Sequence, residues 1–203
     1  MQTGLLCGHT DLALSDNGEQ QLINATKNLA DISHCFSSPL IRCRKFAEQY
    51  CQQQKLSLQI FTELQEMNFG DWDGKSYQVL WQPEQQAETS LTEKMLTLGN
   101  FWQNPWQCQP PNGETMISFT KRVDRFWYQL LAQLEQAKGQ QNQQVNTLVI
   151  SHGGVIRYLL AKVLGLPLPG VNHMTNIDVP YGALIHLQIT IDDKGQAWSK
   201  LML

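Results

Sequence analysis

The sequence has no apolar run approaching the roughly 18 residues of a membrane span. Its start, Met1-Gln-Thr-Gly-Leu-Leu-Cys-Gly8, has neither a basic n-region nor an apolar stretch of signal-peptide length. Charge is scarce: Asp, Glu, Lys and Arg make up 16% of the chain and the net charge is −3. Without a basic surplus, nucleic acid and anionic membrane are not expected as partners. The five cysteines (Cys7, Cys35, Cys43, Cys51, Cys108) are odd in number and contain no C-x-x-C pair. A chain of 203 residues can bury a core without staples, so they read as reduced, mostly buried thiols of a cytoplasmic protein. His9, His34, His173 and His186 lack metal-ligand spacing, and no metal is expected. Repeats of about 20–50 residues are absent, which excludes solenoids and propellers. Gly70-Asp-Trp-Asp-Gly-Lys-Ser76 is one residue short of a Walker A loop, and there is no G-x-S-x-G elbow.

What is present is an alternation of helix-period and strand-like segments, the pattern of an α/β domain. Ser15-Asp-Asn-Gly opens a first helix with Leu22, Ala25 and Leu29 on one face. Ile32 to Phe36 reads as a short strand, and Ser38-Pro39 as the cap and first position of a second helix. Leu56 to Phe61 alternates like a strand. From Gly70 to about Pro111 the periodicity blurs and Trp72, Trp81, Trp102 and Trp106 gather, which suggests an inserted helical cap. Phe119 to Leu134 marks a long amphipathic helix, followed by a polar connection over Lys138 to Asn146. Thr147-Leu-Val-Ile-Ser151 is a compact apolar strand of the doubly buried, parallel kind. It leads into His152-Gly-Gly154 and a helix through Leu164; a late, edge-like strand is expected over Ala183 to Ile191.

The strand, His-Gly-Gly, helix junction is the strongest chemical signal. Ligands of parallel α/β sheets bind where strand ends meet helix N-termini, whose amides and dipole favour an anion. His152 and Gly153 are therefore candidates for touching a phosphate or carboxylate. Arg42, in the first turn of the second helix, sits against the helix dipole and asks for an anionic partner. Read alone, it is better explained as a surface arginine beside Arg44 and Lys45. Glu66, among apolar neighbours just after a strand, has a placement suited to general acid work. Asp71 and Asp73 read as turn formers between glycines.

In order, Gly8-His-Thr-Asp11, Ser37-Ser-Pro-Leu-Ile-Arg42, Leu64-Gln-Glu-Met-Asn-Phe-Gly-Asp-Trp-Asp-Gly74, Asn112-Gly-Glu114 and Ser151-His-Gly-Gly154 resemble the histidine phosphatase superfamily over nearly the whole chain. The resemblance implies a three-layer α/β/α sandwich in one domain, 1–203, with a mostly parallel central sheet and a cap at about 76–112. It implies a phosphomonoesterase acting through a phosphohistidine on a small sugar or nucleoside phosphate, without metal or organic cofactor. Arg42 and His152 would bind phosphoryl oxygens with Gly153, and Glu66 would protonate the leaving alcohol. A broad-specificity phosphatase or a mutase of the same fold is the alternative within the enzymes. The resemblance leaves a homodimer open.

One part of the family pattern is absent from the sequence: the Arg-His-Gly motif that ends the first strand and carries the nucleophile. His9 does not replace it, because it belongs to the later loop. Losing a strand of about 5–6 residues from inside a sheet strands polar groups at roughly 1–3 kcal/mol each. The expectation is a sequence that begins late, at an internal methionine. Otherwise the chain is a non-catalytic member that binds a phosphate ester.

Overall fold

The computed structural model describes residues 4–81, 97–141, 145–170 and 172–203. Ser15 caps the first helix, α1 (Asp16–Thr26), by accepting from the Gly18 N–H. The apolar run that follows is β1 (Ile32–Ser37). Ser38 does not cap the next helix, α2 (Ile41–Gln54): Leu40 is its N-cap residue. The carboxylate of Asp11, 30 positions earlier, accepts from the Ile41 N–H instead, at 2.6 Å. The expected strand over 56–61 contracts to β2 (Leu58–Ile60).

Short helices α3 (Tyr77–Leu80) and α4 (Leu98–Gln103) fall within the expected cap, whose middle, 82–96, lies outside the described residues. The long helix α5 (Met116–Gln141) runs further than its apolar stripe, so the expected connection from Lys138 begins inside it. Then come β3 (Asn146–Ile150), α6 (Gly153–Val163), α7 (His173–Asn176), β4 (His186–Ile191) and β5 (Ala197–Met202).

β1 pairs in parallel with β2 on one edge and β3 on the other, giving the order β2-β1-β3. Alternate residues of this sheet enter different cores. Cys35, Leu148 and Ile150 pack with Cys43, Phe46, Ala47 and Tyr50 of α2 and with Leu22 of α1. Phe36 and Val149 pack on the opposite face with Phe119, Val123 and Phe126 of α5 and Val155 and Tyr158 of α6. The sheet therefore lies between two helical layers, as the resemblance implies. The chain leaves β1 for α2 on one face and β3 for α6 on the other. A crevice forms at such a divergence, beyond the carboxyl ends of β1 and β3. β4 and β5 form a separate antiparallel pair. Among the described residues no helix is long and apolar enough to cross a membrane.

Candidate active site

β1 and β3 end side by side, with Ser37 opposite Ile150 and the Ser38 N–H donating to the Ile150 carbonyl at 3.0 Å. That register sets the following residues of each strand against each other. His152, the N-cap residue of α6, lies beside Ser38, 2.7 Å from Nε2 to Oγ. Arg42, one residue into α2, donates from Nε to His152 Nδ1 at 3.2 Å. Nδ1 is thus an acceptor, which leaves Nε2 to carry the proton and donate to Ser38. Both side chains are buried, so Arg42 is not the surface arginine its neighbours Arg44 and Lys45 suggested.

Glu66 joins them across 88 positions of sequence. One carboxylate oxygen accepts from the Gly154 N–H at 3.0 Å and the other from its neighbour Met67 N–H at 3.0 Å. Its main chain is held by Arg122, which is ion-paired with Glu114 and donates to the carbonyls of Glu63, Gln65 and Glu66. His9 Nε2 donates to the same Glu66 carbonyl at 2.9 Å. Gly154 is where a side chain fails: a methyl there would lie 2.2 Å from Glu66 Oε1. Gly154→Ala is expected to lower turnover about 100-fold, the size of loss that follows from moving a carboxylate suited to proton transfer. Its thermal midpoint should not fall, since alanine favours a helix; steady-state kinetics with a melting curve check both.

The Gly153 N–H, at the first position of α6, makes no hydrogen bond among the described residues. It therefore remains able to donate to an anion at the helix N-terminus. Cys43 Sγ lies 3.6 Å from His152 Nε2 and donates to the Ser151 carbonyl. Burial pushes its thiol up to about 12, so it stays protonated beside the imidazole.

Burial, and after it the positive charges of Arg42, Arg122 and His9, hold His152 well below the ordinary histidine value of 6.5. The site thus presents a neutral imidazole in a positive field, an arrangement that attracts a phosphoryl anion. An unfolded chain protonates this histidine as pH falls below about 6.5, before the folded one does. The unfolded state then binds the extra proton, so stability drops as pH falls from about 7 through 6. Melting curves across that window should decline for the wild type and be flatter for His152→Asn.

Arg42 is also covered. Its Nη1 donates to the Thr10 carbonyl at 3.0 Å and its Nη2 to the Gly8 carbonyl at 2.7 Å. Asp73, which read as a turn former, holds that segment in place. Its carboxylate accepts from the N–H groups of Gly8, His9 and Thr10 and from the Thr10 hydroxyl. Burial alone would raise the Asp73 carboxyl, but these hydrogen bonds outweigh it and lower its pKa. A cavity of about 340 Å³ lined by Trp106, Pro169 and Asn172 contains none of Arg42, Glu66 or His152.

The family model of the histidine phosphatase superfamily (branch 1) matches residues 1–200. An adenosylcobalamin/alpha-ribazole phosphatase of Escherichia coli K12 is 31% identical over 177 residues, covering 84% of this chain and 76% of that one. The crystal structure of the alpha-ribazole phosphatase from Shigella flexneri superposes with a TM-score of 0.71 at 30% identity, over 98% of this chain and 87% of the other. A mycobacterial glucosyl-3-phosphoglycerate phosphatase shares the fold with a TM-score of 0.75 at 21% identity, over 98% of this chain and 90% of its own. The chain is a phosphatase-class enzyme that belongs to the histidine phosphatase superfamily.

Proposed function

We propose that this enzyme removes the phosphate of alpha-ribazole 5′-phosphate, through a phosphohistidine intermediate. The observation that carries the reading is one cluster: Arg42 on His152 at 3.2 Å, beside a helix N-terminus whose second amide holds Glu66 at 3.0 Å. Arg42 and the Gly153 amide are donors for the phosphoryl oxygens, joined by His152 Nε2–H as it exchanges Ser38 Oγ for the anion, where negative charge must be held during in-line displacement. Glu66, held on the Gly154 amide of the same turn, is placed to protonate the ester oxygen as the alcohol leaves, and then to take a proton from the attacking water. The choice of alpha-ribazole phosphate rests on the relatives named above and on the Glu66-Met-Asn-Phe-Gly-Asp-Trp72 loop.

The nucleophilic histidine of this reading belongs to an Arg-His-Gly segment at the end of a further strand. In its favour, the sheet is in two pieces: among the described residues β3 pairs only with β1, and β4 only with β5. Open strand edges are normally paired or covered, and a strand added in parallel to β3 would deliver its last residues to the His152 end. The test is phosphate release from alpha-ribazole 5′-phosphate by the protein purified from its source, with the intact mass of the same sample. Turnover with a mass above that of residues 1–203 agrees with the proposal. Robust turnover at the mass of residues 1–203 contradicts the nucleophile assignment. That mass with binding but no turnover contradicts hydrolysis and leaves a phosphate-ester-binding member of the family.

A further inference from the structure

Arg157 lies four residues after Gly153 on α6, and long helical side chains fold back toward the N-terminus of their helix. Its guanidinium does so: a methyl at Gly153 would lie 2.9 Å from Arg157 Nη1. Its Nε donates to the Ile177 carbonyl at 2.8 Å, which fixes the plane of the fork. Among the described residues no hydrogen bond uses Nη1 or Nη2. The two glycines after His152 therefore carry a guanidinium over one and the Glu66 carboxylate over the other. The two charges nevertheless form no ion pair among the described residues. A cation near a carboxylate, with its terminal donors unused, can donate to a third polar group.

We propose that Arg157 is a substrate-contacting residue for the alcohol half of the ester, donating from its Nη groups to a sugar oxygen of the leaving group. The inference rests on the phosphatase reading above. Arg42 and His152 serve the phosphoryl group from beneath, and Glu66 must reach the ester oxygen. What lies next to Glu66 on the far side of that oxygen then faces the alcohol. A guanidinium there suits vicinal hydroxyls, as in a ribosyl or glycosyl phosphate.

The surroundings agree. Tyr77 and Tyr181 are both exposed. The Tyr77 phenol is raised first by burial, then by Tyr181, Cys7 and Glu66, with Arg157 acting in the opposite direction. Tyr77 thus lies within electrostatic reach of both Glu66 and Arg157.

The test is calorimetric binding of two probes, inorganic phosphate and ribose 5-phosphate, to the chain and to its Arg157→Ala and Arg157→Lys variants. Ribose 5-phosphate is expected to bind the alanine variant about tenfold more weakly, the worth of one charge-assisted hydrogen bond. Inorganic phosphate should change by about threefold or less, the longer-range effect of one partly buried charge. Lysine should recover part of the ribose 5-phosphate loss but not all, since it supplies charge without the fork. Equal weakening of both probes, or of neither, overturns the assignment and leaves the phosphate site standing. Failure of folded wild type, checked by circular dichroism, to bind either probe overturns the phosphatase reading and this inference with it.

Discussion

Replacement of His152 by alanine is expected to lower ester hydrolysis about 1,000-fold while changing KM by far less. The imidazole is neutral, buried and oriented on both nitrogens, by Arg42 at Nδ1 and Ser38 at Nε2. In the proposed mechanism its one N–H exchanges Ser38 for a phosphoryl oxygen while Arg42 still holds the ring, and removing one donor to the transferring group costs about 100- to 1,000-fold. The variant also leaves Arg42 Nε without an acceptor in a buried position, which adds to the loss. Arg42→Ala should fall in the same range, and the double variant should lose less than the product of the two, because the residues touch. Unchanged kinetics for either single variant would remove that residue from the site.

The second large effect is on stability. Asp73→Ala removes an acceptor that takes four hydrogen bonds from residues 8–10. The loss reaches beyond those bonds, because the segment is also tied by Leu6 N–H to the Lys75 carbonyl, Gly74 N–H to the Leu6 carbonyl and Tyr77 N–H to the Gly4 carbonyl. A carboxylate bonded to amides contributes more than a neutral acceptor, and the expected loss is about 3 kcal/mol. Because the Asp73 pKa is lowered, its contribution is fully present above the unfolded value of about 3.9 and fades as pH falls through and below it. The wild type and Asp73→Ala should therefore differ in denaturant midpoint at pH 7 and converge toward pH 3. An undiminished midpoint at pH 7 would show that the 8–10 segment is held by something else. Asp73→Asn, which keeps the shape but not the charge, should lose less.

The parts of this architecture visible in the sequence are those fixed by neighbours in the chain. Leu148 to Ile150 is uniformly apolar because β3 is covered on both faces, and Ser15 caps α1 three residues away. The junction of His152 and Gly153 is legible because a strand-to-helix turn is a local event; Glu66 stands out only by its apolar neighbours after a strand, and its approach to Gly154 across 88 positions is not visible in the sequence. Arg42 was only half legible: its spacing put it in a helix's first turn, but nothing local showed that it is buried under residues 8–10. Asp73 stayed hidden because a turn aspartate between glycines looks the same whether its carboxylate meets water or three amides 63–65 positions away. The true cap of α2 was missed for the same reason, since Asp11 reaches it from 30 residues upstream.

Two boundaries failed on composition. Glutamine is a good helix former, so the polar stretch after Lys138 continues α5 as far as Gln141 instead of ending it. In β5 the exposed positions are Trp198, Lys200 and Met202, and the inward ones Ala197, Ser199 and Leu201. With apolar side chains on both faces, the alternation that marks a half-buried strand disappears. Arg157 carried no signal at all, because an arginine on an amphipathic helix normally faces solvent.

Trapping the intermediate tests the central claim most directly. The protein from its source is mixed with 32P-labelled ester, quenched within the first turnover and separated from free phosphate. The account predicts a phosphoryl-protein that is stable in alkali and labile in acid, as a phosphohistidine is, and that forms about 1,000-fold more slowly in the His152→Ala variant. Turnover with no phosphoryl-protein, or with label that alkali releases as from an acyl phosphate, would contradict it.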